Sequence, residues 1–489
     1  MRAKYPVLLC VLVLFCLSLT SCSAKGKGAP LRICFDVGNG NDQYNGSSQT
    51  EQAVKDFLTD YDVFTQKYGW ARSQDFEIEI IPSASKFSTE RAATLQRIRT
   101  EIMTGGGPDV FVLNCQGSCV GGELDCSERL ESSRLFPYPE KAINGDVFLP
   151  LDEYIESAEM VDWSTQQPQV LDGGRNQKGE LVAVPMSFTV PVNVYREKDL
   201  PGGVPKGGTW AQVMAGEDSA LAPQALWLWE HMFAGPPNLR AHTSGLACLF
   251  PRLADFEAGR VCFTEEELLE IIQEDLEACR RLHQPGKNQL ENYAAFADPE
   301  TLLDSNMGAI FGVALRQGEP ENAAYVPLAN LEGGVTAEVT RYCAVNRNTS
   351  RPLDAFHVVE CLMDAAFQNN STIERMGTWT DGKMPVDMRV FSREFPMQYG
   401  MSIPPQHFEQ WRRVCESITD LHFPSPLESQ LEDMMYEIQT VLVDSLEPEP
   451  DAFRSPRQLD FYKGEISHKQ LKEIVHRYYK RICRLVDEA

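Results

Sequence analysis

Carboxylates, histidines and cysteines are the side chains of this chain whose spacing could support chemistry. Asp152 and Glu153 form an adjacent carboxylate pair of the kind that serves acid and base roles in glycan hydrolysis. Around them there is no H-E-x-x-H pair, no G-x-S-x-G nucleophile elbow and no P-loop. The eight histidines (His231, His242, His283, His357, His407, His422, His468 and His476) are dispersed without metal-ligand spacing. Cys115, Cys119 and Cys126 are the closest thiol cluster, and a local disulfide or metal clip is the chemistry they could supply. They lack the C-x-x-C pairs of a zinc site and have no histidine nearby, so scattered thiols with at most one disulfide in that loop are expected. No catalytic residue, metal or cofactor is assigned. The chain is read as a binder and not an enzyme.

The first residues address the compartment. Arg2 and Lys4 precede an apolar run, Val7 to Leu19, broken only by Ser18. That run is too short for a comfortable membrane span and reads as the core of a secretory signal. Leu19-Thr20-Ser21-Cys22 resembles the bacterial lipobox, which implies a signal peptide over 1–21 and an acylated Cys22 as the first mature residue. Ordinary cleavage near Ala24, with Cys22 discarded, is the alternative. Residues 22–30 then form a flexible tether, rich in Lys, Gly, Ala and Pro. No later segment approaches ~20 consecutive apolar residues, so the anchor is expected to be lipid alone.

At 43% hydrophobic and 24% charged residues, the composition is that of globular proteins, and the length calls for about two or three domains. A net charge of −25 repels phosphate backbones and argues against nucleic acid as a partner. Of 14 cysteines, Cys10 and Cys16 leave with the signal and Cys22 carries lipid; the odd remainder cannot all pair within one chain.

The elements that position these groups follow from hydrophobic periodicity. Leu31–Asp36, Phe76–Ile81 and Asp109–Leu113 read as strands, separated by helical stretches carrying Val54, Phe57, Leu58, Tyr61 and Phe64, and then Leu95, Ile98, Ile102 and Met103. Helices of that length between strands imply right-handed crossovers and a parallel sheet. Pro191–Arg196 and Val339–Ala344 read as further strands, and Leu268–Leu282, Leu353–Ala366, Leu427–Val443 and Leu471–Val486 as helices, the last capped by Ser467. The fold class is α/β.

Several passages together resemble the bacterial extracellular solute-binding proteins of family 1, the group that includes maltodextrin- and oligosaccharide-binding lipoproteins. They are Thr104-Gly-Gly-Gly-Pro-Asp-Val-Phe111, Phe136 to Ala142, Gly145 to Tyr154, Gly179 to Pro185 with Val192 to Arg196, Thr209-Trp210, Asn306 to Ile310, Gly382 to Val386, and Gly464 to Ser467. The length, the cysteine loop after the third strand, and Trp227 and Trp229 depart from the pattern and leave the ligand open.

The resemblance implies a two-lobe, periplasmic-binding-protein-like (type II) fold with hinge strands and a helical C-terminal region. Lobe 1 would comprise 31–188 and 340–378; lobe 2 would comprise 192–335 and 385–489. The chain would cross near Phe188 to Val192, Val335 to Thr340 and Thr378 to Pro385. Loops at the carboxyl ends of the strands line the crevice in such sheets, which nominates Asn41, Asp42, Tyr44, Asn114, Gln116, Phe188, Phe311, Arg341, Tyr342, Trp379 and Asp381 as ligand contacts. Amides and carboxylates fix hydroxyl groups, and rings stack on sugars. The implied function is capture of a small polar solute, a carbohydrate before others, by a monomer that is anchored to the membrane by lipid and delivers to ABC permease subunits. A sensor that presents its closed form to a membrane kinase is the alternative, and a surface glycan hydrolase a third.

Overall fold

The computed structural model describes residues 29–36, 47–82, 89–115, 134–190, 192–196, 246–282, 323–327, 329–370, 384–387, 389, 405–446 and 463–489. The chain opens with strand β1 (Leu31–Asp36), helix α1 (Ser47–Thr65), β2 (Phe76–Ile81), α2 (Thr89–Met103) and β3 (Val110–Asn114). Short helices α3 (Pro139–Asn144), α4 (Asp152–Ile155) and α5 (Pro168–Asp172) lead to β4 (Ala183–Thr189) and β5 (Val192–Arg196). Then come β6 (Ala254–Asp255), β7 (Arg260–Val261), α6 (Glu265–Leu282) and β8 (Ala323–Pro327). The chain returns through β9 (Val335–Val345), α7 (Pro352–Met363), α8 (Ala365–Asn370), β10 (Met384–Pro385), α9 (Pro405–Glu416) and β11 (Ile418–His422). Helices α10 (Pro426–Asp444) and α11 (His468–Glu488) close it.

Seven of these strands form one sheet in the order β10-β4-β9-β3-β1-β2, with β11 paired to β9 beyond the end of β3. The parallel expectation holds for β1, β2 and β3. It fails at β9, which runs antiparallel to both β3 and β4, so the sheet is mixed. The reason is direction of entry: β9 comes back into the sheet from the opposite end, after the chain has left it through β4.

Both sheet faces are covered, which explains strands that are apolar throughout. Leu31, Ile33, Phe35, Val110 and Val112 pack on one face with Phe57, Tyr61 and Val359. Cys34, Phe111 and Leu113 pack on the other with Leu95, Ile98 and Phe148. A separate core joins residues 246–254 and α6 to α10 and α11 through Leu249, Leu268, Ile272, Met434, Ile438, Val475 and Ile482. The helical C-terminal region is therefore as expected, and α10 and α11 each begin with a capping box, Ser425 with Glu428 and Ser467 with Gln470. Val414, Cys415 and Ile418 pack in the first core, away from the second lobe expected for 385–489. β11 adds parallel pairing to β9, a contact with no local signature.

The Gly-Gly-Gly-Pro-Asp passage has a definite job. Gly105 and Gly107 take φ of 80° and 95°, which ends α2, and a Cβ on Gly107 would come within 3.0 Å of Ile102. Asn346, just past β9, donates from Nδ2 to the carbonyls of Gly106 and Pro108 at 2.9 and 2.8 Å. The buried Asp109 carboxylate accepts from the Arg32 amide and the Thr349 hydroxyl, both at 2.8 Å. Asp109→Ala strands these donors, and we expect a stability loss of about 2 kcal/mol, read as a lowered urea midpoint.

Candidate functional site

At the carboxyl ends of β1 and β3 the sheet presents polar groups. Asp36 ends β1 and is buried in a two-pronged ion pair with Arg91 of α2, with both Nη–Oδ distances 2.8 Å. Asn114 ends β3 half-buried and is the register partner of Arg341 on β9. Of the nominated contacts, Asn114, Phe188, Arg341 and Tyr342 lie among the described residues; Asn41, Asp42, Tyr44, Gln116, Phe311, Trp379 and Asp381 lie outside them, as does Cys22.

Two of the four are corrected by their burial. Phe188 is 0% exposed in the core on one face, and Tyr342 is 2% exposed on the other, its ring 5.4 Å from Phe423 and 6.5 Å from Phe148. Both lie inside strands flanked on each side, and an aromatic there is wall material and not a contact. Arg341 is also buried, at 3% exposure. Asp152 is structural too: its carboxylate binds Arg175 Nη1 and the Leu181 amide, each at 2.8 Å, and so holds the turn before β4. Cys115 is a buried free thiol, so it takes no part in a local disulfide; Cys119 and Cys126 lie outside the described residues. Among the described residues no group of His, Cys, Asp and Glu could hold a metal ion, and no helix is long and apolar enough to cross a membrane.

The structure also brings together residues that were not nominated. Thr336, Glu338 and Thr340 are buried along β9, and Ser187 and Thr189 along β4. The Ser187 and Thr340 hydroxyls are 2.7 Å apart. Thr189 is the register partner of Glu338, which is also the partner of His422 on β11. The Cys115 amide bonds the Thr340 carbonyl at 2.9 Å, so β3 ends at that level and Glu338 lies beyond it, in the zone outside the carboxyl ends. Glu338 Oε1 and Thr189 Oγ1 are buried without hydrogen-bond partners. Burial, reinforced by Glu428 and Glu432, raises the Glu338 carboxyl well above the ordinary range. The clue in the sequence was a group of polar residues, Thr336, Glu338, Thr340 and Arg341, inside a long strand whose other residues are apolar.

Beside this row lies a small pocket lined by Tyr138, Glu140, Phe256, His422, Phe423 and Glu428 among others, with an empty volume of about 280 Å³ that includes space open to solvent. The Tyr138 and Phe256 rings meet at 5.4 Å, and Arg252 stands 3.7 Å from Glu140. Burial pushes Glu140 up to about 7, against the pull of Arg252 and with the help of Glu428. His422 donates from Nε2 to the Pro251 carbonyl at 3.1 Å, and burial drops it to about 4, so it is neutral at pH 7.

No family model matches the chain, and no curated protein matches it by sequence. Solved structures do. The chain is similar to the sugar-binding protein MalE from the phytopathogen Xanthomonas citri, at 15% identity over 94% of this chain and 98% of that one, with a TM-score of 0.51. It is similar to an extracellular solute-binding protein family 1 member from Alicyclobacillus acidocaldarius, at 14% identity over 94% and 98%, with a TM-score of 0.50. A de novo designed cysteine esterase matches at 12% identity over 94% and 99%, also with a TM-score of 0.50. At such identities the likeness is one of backbone, and one backbone carries different chemistries. The fold of this chain is that of the MalE-like periplasmic binding proteins.

Proposed function

We propose that the chain is an exported solute-binding lipoprotein of an ABC importer, which captures a carbohydrate between two lobes and is held to the membrane through an acylated Cys22. The observation that carries this reading is a hydrophobic core among the C-terminal helices that is separate from the packing on the two faces of the mixed sheet, on a fold shared with a sugar-binding protein. Strands β4 and β9 lead the chain between them and carry the polar row. A ligand that touches both lobes has its full set of contacts only when they close, so closure is driven by differential affinity for the closed state. Phe188 and Tyr342 then serve as rigid support behind the crevice. The loops after β1 and β3, with Asn41, Asp42, Tyr44 and Gln116, face the ligand together with Asn114. Trp379, Asp381 and Phe311 are further contacts, and Arg341, buried on β9 as the register partner of Asn114, is the remaining member of the nominated set.

The test is a thermal-shift screen of the soluble Cys22→Ala protein against mono- and oligosaccharides, peptides and polyamines. A cognate sugar at a hundredfold excess over its Kd stabilises by about 2.7 kcal/mol, a readily measured rise in Tm. A folded sample that no solute stabilises would overturn the reading, and hydrolysis of any glycan by the pure protein would replace it with catalysis.

A further inference from the structure

Glu338 sits where the two cores meet. From the first come Cys115, after β3, and Arg134, ahead of α3; from the second come Cys248 and, on α10, Glu428 and Glu432. Across the sheet its partners are Thr189 and the neutral His422. Arg134 donates to the Pro424 carbonyl, while its buried Nε has no hydrogen-bond partner. Arg252 and Glu140 face each other across the same seam, on the rim of the pocket. Several carboxyls thus share this seam, and one oxygen at its centre, Glu338 Oε1, is buried without a hydrogen-bond partner.

A largely buried cluster of carboxyls favours their neutral forms, because ionised groups would repel one another where water solvates them poorly. We propose that closing the seam takes up protons and opening it releases them, with Glu338 the main acceptor and Glu140 the second. The inference rests on the two-lobe reading above and adds a regulation to it. When the lobes part, water reaches the carboxyls and they return towards the ordinary range, 4.5 for a glutamate. A group that titrates higher in the closed form stabilises that form below its open-state value, and this advantage is lost as pH rises through its closed-state value. For Glu140 the window runs from 4.5 to about 7; Glu338, also raised by burial, acts in the same direction. The closed form, and with it the affinity for cargo, is favoured by acid.

Small-angle scattering of the solute-free Cys22→Ala chain at pH 5 and pH 8 tests this, in enough salt to screen the surface charge. The expected result is a smaller radius of gyration at pH 5, with Glu338→Gln losing most of that contraction and Glu140→Gln part of it. Equal radii at the two pH values, or a full contraction in Glu338→Gln, overturn the proposal. If Glu338→Gln loses its circular dichroism signal, Glu140→Gln decides, since an unaltered contraction there also overturns it. No sugar is present in this measurement, so a protein that binds no carbohydrate still gives a clear answer about the seam.

Discussion

Asp36→Ala is expected to cost about 4 kcal/mol, because it leaves the Arg91 guanidinium buried without its carboxylate. The pair is two-pronged, and the side chains are only 7% and 2% exposed, so water cannot replace the lost partner. Arg91 also donates to the Pro82 carbonyl at 2.6 Å, which ties the end of β2 to the same charge. Asp36 is the last residue of β1, and the proposed contacts Asn41, Asp42 and Tyr44 follow it in the sequence. Urea unfolding of the single variant should show a much lower midpoint. The double variant Asp36→Leu/Arg91→Met should recover most of the loss, because a buried pair is often no more stable than an apolar replacement of similar volume. A single variant within about 0.5 kcal/mol of the parent would refute the role given to this pair.

Phe57→Ala should be nearly as damaging, at about 4 kcal/mol. Phe57 of α1 is 0% exposed and meets Phe35 of β1 at 5.2 Å, Phe367 of α8 at 6.0 Å and Tyr61 at 6.2 Å. Removing the ring takes away burial from three elements and leaves a cavity that a sheet and two helices cannot close. Phe57→Leu keeps most of the volume and should cost less than half as much. The comparison of the two variants by urea titration separates cavity formation from loss of the ring contacts. Equal midpoints for Ala and Leu would show that α1 packs more loosely than these contacts imply.

Local order was the part legible in the sequence. β2 spans Phe76–Ile81, as its alternation predicts, and β1 spans Leu31–Asp36, as its short apolar run predicts, because both patterns need only neighbouring residues to be seen. The same holds for α10 and α11, whose capping boxes at Ser425 and Ser467 are written within four residues. Phe188 and Tyr342 misled for a related reason. An aromatic at a crossing looks the same in sequence whether it faces the crevice or the core, and burial on both faces of β4 and β9 decided for the core.

What the sequence alone determined, then, is the α/β alternation, the helical C-terminus and the ends of β1 and β2, all of which arise from interactions within a few turns of chain. Tertiary structure alone decided that β9 reverses the sheet, that β11 extends it, and that Glu338, Glu140, Glu428 and Arg134 meet at one seam. Pairing direction depends on where the chain re-enters, and a carboxyl's charge on what comes to cover it. Both are contacts between residues far apart in the chain, which no local pattern encodes.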